Sequence, residues 1–178
     1  CMKVLREDFK VSEISLSGEV AKLRNPFSPK INFCPPRWDP DRGGYVLMTV
    51  SKRGYSTYDA ANQIANSLGI DAKAVGYSGL KDAYATTVQQ MTVAWSRIPP
   101  RFKLGSTLHQ RLTSVCQALR HGLTTGSIRI GDLEIVDRPL NLRASSSGGN
   151  AFELTVRDLP NPPTSDEDSL KHLCRRVN

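Results

Sequence analysis

The sequence predicts an α+β fold, with a mixed, mostly antiparallel sheet and helices packed on it from one side. Short segments rich in β-branched and aromatic residues are interspersed with segments whose apolar residues recur at helical spacing. Stretches rich in proline, glycine and serine separate these segments, and no internal repeat is visible. The mixture of strands and helices in this order favours the α+β class.

The strands are predicted from alternation and from apolar runs. Residues 9–16 alternate apolar and polar side chains, with a slip after Glu13 that a β-bulge would explain. Residues 45–50 form a continuous apolar run, which is typical of a central strand covered on both faces. Further strands are predicted at residues 75–78, 86–95, 128–136 and 151–157. A Ser/Gly-rich loop, residues 144–149, separates the last two.

Two helices are predicted from apolar spacing and from their caps. The first lies between a candidate N-cap at Ser56 and a terminating Gly69. Its predicted apolar face consists of Tyr58, Ala61, Ile64, Ala65 and Leu68. The second runs over about residues 107–121 and stops at Gly122. Its predicted apolar residues are Leu108, Leu112, Val115 and Leu119.

A single domain is the default for a chain of 178 residues. Residues 17–43 contain five prolines, and we interpret them as an inserted, irregular surface loop at the rim of the fold. Residues 160–164 are typical of a linker. Ser165 and Asp168 then form a capping box at the start of a last helix.

The charge of the chain suits a phosphate-rich partner. There are 24 Lys and Arg against 17 Asp and Glu, a formal net charge of +7, and a basic surface attracts nucleic acid through counterion release. No run of eighteen apolar residues is present, and the first thirty residues are charged throughout, without the apolar core of a signal peptide. We therefore expect a soluble intracellular protein, cytoplasmic by default, with the nucleus and organelles left open.

The four cysteines have no paired spacing, so they indicate neither a structural zinc site nor a disulfide framework. A metal cluster would require distant ligands to converge without any supporting spacing. Its candidate ligands are His109, Cys116, His121, His172 and Cys174. Separate thiols and histidines, with no metal, are the favoured interpretation.

Three short segments carry the sequence motifs of a known family. KVLREDFKVSE at residues 3–13 resembles K-x-x-P-E-D-F-x-V-x-E, with Arg6 where proline is usual. GYSGLKDAYATTVQ at residues 76–89 resembles G-x-K-D-x-x-A-x-T-x-Q, and GNAFELTVR at residues 149–157 is similar to G-N-x-F-x-x-x-x-R. In this order and separation, the three segments resemble the TruD family of RNA pseudouridine synthases.

The resemblance implies that residues 1–160 are the N-terminal portion of a pseudouridine synthase catalytic domain. Residues 161–178 would lead toward an insertion domain that this chain lacks, and the rest of both domains is expected from the same or another chain. An opening Cys1 in place of methionine favours a longer protein. The implied activity is the isomerisation of a uridine, with tRNA as the expected RNA, after the base is flipped out of the RNA, and it requires no cofactor.

The reaction requires a carboxylate close to C1′ and C2′ of the ribose, either as nucleophile or as base, and the sequence leaves that choice open. The resemblance assigns this role to Asp82, with Lys3 as its basic partner. On residue type alone, Asp82 is a turn or capping residue, because residues 79–82 have good turn chemistry. We expect the Asp82 carboxylate on the floor of a cleft, in contact with Lys3 and Phe152.

The resemblance also places three residues around the uracil. Phe9 and Phe152 would stack on it, and Asn150 would read its edge. The alternatives are core aromatics and a turn asparagine, while Glu13 and Gln89 match the motifs but could simply satisfy groups at the sheet edge. Candidate phosphate contacts are Arg6, Lys10, Lys52, Arg53, Lys81 and Arg157, with a solvated basic face as the alternative.

Two other functions remain open. One is a catalytically silent RNA-binding or assembly module with the same fold. The other is an unrelated basic α+β domain, which requires all three motifs to be accidental.

Overall fold

In the computed structural model, residues 5–23, 43–123, 126–141 and 147–156 are described. They form two α-helices and a six-stranded sheet, and therefore an α+β fold as predicted. In chain order the elements are β1 (Phe9–Ser15), β2 (Tyr45–Arg53), α1 (Thr57–Leu68), β3 (Val75–Tyr77), β4 (Thr86–Ala94), α2 (Leu108–Gly122), β5 (Ile128–Val136) and β6 (Ser147–Leu154).

The sheet is mixed and mostly antiparallel. Its strand order is β5-β2-β4-β1-β6, and only the described β1–β4 pair is parallel. One edge of β4 is shared by two strands, because β1 pairs with its first half and the short β3 pairs with its second half. β2 lies between β4 and β5, which confirms the central position predicted for its apolar run.

The hydrophobic core lies between one face of the sheet and the two helices. The inward side chains of β2, β4 and β5 alternate along each strand, and they meet the buried stripes of α1 and α2. Ile64 of α1 and Leu119 of α2 are completely buried. A side chain of this size contributes about 1.5–3 kcal/mol when it is fully removed from water.

Helix α1 is bounded as its sequence predicts. The Ser56 hydroxyl accepts a hydrogen bond from the Asp59 amide at 3.0 Å, and the Asp59 carboxylate accepts one from the Ser56 amide at 3.1 Å. Gly69 ends the helix with φ 64°, a left-handed conformation that glycine adopts without strain. The predicted apolar face was wrong at Tyr58, which is 61% exposed, because Thr57 and Ala60 fill the inward positions of the first turn.

Strand β6 begins earlier than predicted. Ser147 to Asn150, assigned in part to a loop, pair with the end of β1, with a register shift between Ile14 and Ser15. Gly148 permits this pairing because a Cβ there would stand only 2.5 Å from the Ser15 carbonyl oxygen. The register of β1 therefore shifts one residue later than expected, but the extra residue is Gly148 of β6, so the bulge lies in β6 and the prediction of a bulge in β1 was wrong.

Most of the proline-rich segment 17–43 lies outside the described residues, as does the helix predicted after Ser165. The described start of the segment turns back on β1, where Ile14 and Val20 form an antiparallel bridge. Neither described helix has the length and apolar character needed to span a membrane.

Candidate active site

A row of four paired residues on neighbouring strands crosses the sheet and brings the three motif segments close together. Lys52 on β2 is paired with Thr87 on β4, Thr87 with Val11 on β1, and Val11 with Phe152 on β6. By strand alternation, their side chains point to the same face as the core. Three strand spacings place Lys52 and Phe152 roughly 14 Å apart along this row.

Asp82 lies in the turn between β3 and β4, where its backbone carbonyl contacts Nζ of Lys52 in this row. Its side chain is exposed, and Oδ1 accepts a hydrogen bond from the Tyr84 amide at 2.7 Å. This is the local geometry of an aspartate turn. The exposed position of the side chain differs from the cleft floor that we expected.

Lys52 supports this turn from below. Its side chain is completely buried, and Nζ donates hydrogen bonds to the carbonyl oxygens of Tyr55 at 2.8 Å, Lys81 at 3.1 Å and Asp82 at 3.1 Å. Burial lowers the pKa of Lys52 from 10.5 to about 8, and the charge of Asp82 offsets part of this shift. A buried ammonium held by three carbonyls does not fit the expected role as a phosphate contact.

Thr57, the first residue of α1, holds the same turn from a second side. Its hydroxyl oxygen accepts a hydrogen bond from the Lys81 amide at 2.8 Å, and its proton is donated to Gln89 Oε1 at 3.0 Å. Lys81 itself is buried, which again differs from the solvated position we expected. Sequence reasoning missed Thr57 altogether.

The strand alternation of β2 contained a signal for Lys52. Val46, Met48 and Val50 point inward, and the next residue of that series is Lys52. Extending the strand by two residues would have predicted a buried lysine.

Phe9 and Phe152 lie side by side on neighbouring strands. Their rings are nearly parallel, at 8°, with centroids 6.0 Å apart. A base inserted between two rings requires roughly 7 Å, twice the contact distance of carbon atoms, so this pair is too close to sandwich uracil as it stands. Phe152 is 66% exposed, which core packing does not explain, and Asn150, two residues earlier on the same strand, is also exposed.

Glu13 closes the junction where β1 and β3 share β4. It is buried, with one carboxylate oxygen accepting from the Gln90 amide at 2.8 Å and the other from the Ser78 hydroxyl. This fits the sheet-edge role considered for it and ties β1 to the start of the Asp82 turn.

The remaining basic residues predicted for the site differ in their surroundings. Lys10 lies on the opposite face from Phe9 and forms an ion pair with Glu153, and Arg53 forms one with Glu7 at 3.6 Å. The Arg6 guanidinium lies directly over Gly54, at the end of β2. The other two candidates, Lys3 and Arg157, lie outside the described residues.

Within the described residues, no group of three or more His, Cys, Asp or Glu side chains is arranged to bind a metal ion. Cys116 is buried in α2, where burial raises the pKa of its thiol.

The fold itself occurs in a solved protein. A crystal structure of a protein assigned as tRNA pseudouridine synthase D (TruD) from Methanosarcina mazei matches 99% of this chain with a TM-score of 0.54 and 18% identity. The chain thus has the fold of the corresponding part of that protein. The family model of tRNA pseudouridine synthase D (TruD) matches residues 1–178, so the chain belongs to the TruD family.

Curated relatives agree with the family model. The chain is 29% identical over 175 residues to the protein named "Probable tRNA pseudouridine synthase D 1" of Methanocaldococcus jannaschii. It is 30% identical over 149 residues to tRNA pseudouridine synthase D of an Anaeromyxobacter species. These alignments cover 98% and 82% of this chain, but only 38% and 41% of the relatives, and the chain matches 30% of the solved structure.

Proposed function

We propose that the protein containing this chain is an RNA pseudouridine synthase that isomerises a uridine of tRNA, with Asp82 as the reacting carboxylate. The observation that carries the proposal is the construction of the Asp82 turn. Its carboxylate is accessible, while its backbone is fixed by the buried Lys52 and Thr57. Burial of an ammonium carries a desolvation cost, so its use beneath a surface turn supports a role for that turn.

The chemistry is an isomerisation. The bond between N1 and C1′ breaks, the uracil rotates, and C5 bonds to C1′, while C5 loses a proton and N1 gains one. Asp82 either attacks C1′ or removes the C2′ proton, and an accessible carboxylate on a rigid turn suits both roles. Lys3 is the proposed basic partner of Asp82.

The uracil is proposed to be flipped out and held on the β6 side of the row. The exposed ring of Phe152 provides a stacking surface, worth roughly 1–3 kcal/mol per base, with Phe9 supporting it from behind. Asn150 carries an exposed amide on the same strand face, where it can bond to the edge of the base.

Phosphate contacts are proposed for the accessible basic residues Arg6, Lys10 and Arg53, and for Arg157. Lys52 and Lys81 do not belong to this group because they are buried. The wall that faces Asp82, and the insertion domain, are proposed to come from the rest of the protein or from another chain.

The test uses the whole protein that contains this chain and tRNA transcripts carrying 5-tritiated uridine. The proposal predicts stoichiometric release of tritium from a single uridine, together with pseudouridine in the digested RNA. If the protein binds RNA but releases no tritium from any cellular RNA, it is instead a silent RNA-binding or assembly module.

A further inference from the structure

We propose that Lys52 and Thr57 are positioning residues that hold the backbone of Lys81 and Asp82, and thereby aim the reacting carboxylate, without contacting RNA. The inference rests on the proposed function of Asp82. Lys52 would then affect the rate of the reaction and not the affinity for RNA.

The first support is the set of partners of the Lys52 ammonium. Nζ has three N–H donors, and three backbone carbonyls accept them at 2.8–3.1 Å. Two of the carbonyls belong to the consecutive residues Lys81 and Asp82, and the third, Tyr55, leads into α1. One side chain therefore links the end of β2, the start of α1 and the Asp82 turn.

The second support is that the backbone of Lys81 is held from two directions. Its N–H donates to Thr57 Oγ1 and its C=O accepts from Lys52 Nζ. Thr57 is itself fixed by its hydrogen bond to the buried Gln89 of β4. The orientation of Asp82 is thus set by one strand, one helix terminus and the sheet beneath them.

Such fixing matters because the turn is otherwise exposed. Loops move on the nanosecond to microsecond timescale, and a misplacement of about 1 Å can cost about 10²-fold in rate. Loss of the Lys52 donors would also leave the Lys81 carbonyl without this partner in a buried setting.

Protonation of Lys52 connects this device to pH. Its pKa is lowered to about 8 by burial, with smaller effects from the facing charges of Asp82, Lys81 and Asp59. Deprotonation removes one of three donors and the positive charge beneath Asp82, so turnover should fall as the pH rises above 8. An exposed lysine that contacts phosphate has an ordinary pKa of about 10.4, so it would not titrate around pH 8.

The experiment measures single-turnover rate, RNA affinity and their pH dependence in the whole protein for Lys52→Met, Lys52→Arg and Thr57→Val. Lys73→Met is the matched control, since Lys73 is an exposed lysine away from the turn. We expect Lys52→Met to lower the rate about 10²-fold with RNA Kd nearly unchanged, and to lose the alkaline limb near pH 8. Lys52→Arg should restore part of the rate, and this rate should not fall above pH 8, because arginine stays charged.

A weakened Kd and a reduced salt dependence in Lys52→Met, with the rate of bound RNA intact, would overturn the proposal in favour of a phosphate contact. Thr57→Val keeps the test valid if Lys52→Met does not fold. A native rate in both variants would also overturn it.

Amide hydrogen exchange separates failure of this inference from failure of the proposed function. Exchange in residues 78–85 should accelerate in Lys52→Met and Thr57→Val, while exchange in α2 stays unchanged. If wild-type protein proves inactive on every RNA, the enzymatic proposal fails, and this readout alone decides whether Lys52 holds the turn. Unchanged exchange in residues 78–85 would overturn that role.

Discussion

The ammonium of Lys52 donates a hydrogen bond to the backbone carbonyl of Asp82 across 3.1 Å, and both residues are ionisable. The lysine is completely buried, whereas the aspartate is exposed. A charge inside the protein thus supports a carboxylate at its surface. Deprotonation of Lys52 is therefore expected to have opposite effects on folding stability and on turnover, and the two can be measured separately.

The folding stability contributed by Lys52 should rise with pH. Because its pKa is about 8 when folded and near 10.5 when unfolded, the unfolded state binds more protons between these values. Wild-type stability relative to Lys52→Met should therefore increase from pH 8 to 10, by at most about 1.4 kcal/mol per pH unit. Urea unfolding of both proteins across this range measures it, and a difference independent of pH would contradict the lowered pKa.

Turnover should fall between pH 8 and 10, because deprotonation of Lys52 removes a hydrogen-bond donor and the positive charge beneath Asp82. A lysine whose only role is to stabilise the fold would make stability and rate change together.

Phe152→Ala should weaken capture of the base. The substitution removes the exposed stacking surface on β6, so substrate RNA affinity should fall by about 1–3 kcal/mol. Leu104→Ala is the control, since Leu104 is comparably exposed and lies outside the candidate site. The measurement is filter binding with RNA containing the target uridine and with RNA lacking it. An equal loss for both RNAs would show that Phe152 does not hold the target base.

Arg53→Ala should reduce the salt dependence of RNA binding. An accessible arginine that neutralises one phosphate contributes close to one unit to the slope of log Kd against log salt. Lys52→Met should leave the slope unchanged because its ammonium is buried. A titration from 50 to 200 mM salt compares them, and equal slopes in wild type and Arg53→Ala would remove Arg53 from the interface.

Ser56→Ala should destabilise the protein by about 1 kcal/mol, because the N-cap of α1 is lost. The hydrogen bonds from Ser56 hold the pKa of Asp59 below its usual range, so the part of this stability that comes from the Asp59 carboxylate is present at neutral pH and is lost on acidification. Denaturant unfolding at pH 7 and at pH 3 provides the comparison. Asp137→Asn, at an exposed position, is the control and should leave the stability at pH 7 unchanged.

Local patterns were enough to predict most of the fold. The caps of α1 and the apolar run of β2 are each determined by neighbouring residues. The start of β6 was missed because its pairing depends on the close approach of Gly148 to Ser15, which no local pattern reveals.

The motifs include the accessible residues proposed for the site, Asp82, Asn150 and Phe152, but not Lys52 and Thr57, which support the Asp82 turn. Lys52 and Lys81 were taken for phosphate contacts because they are basic residues close to the predicted pocket. Their burial results from β4 and α1 closing around the turn, contacts between residues more than twenty positions apart.

The central claim is tested most directly by Asp82→Asn in the whole protein, with Asp137→Asn as the matched control. The measurement is single-turnover tritium release from 5-tritiated uridine tRNA at saturating protein, beside a binding titration of the same RNA. We predict that Asp82→Asn abolishes release while Kd changes little, because the reacting carboxylate is lost and the phosphate contacts remain. Near-native tritium release by Asp82→Asn would contradict the assignment of Asp82 as the reacting carboxylate.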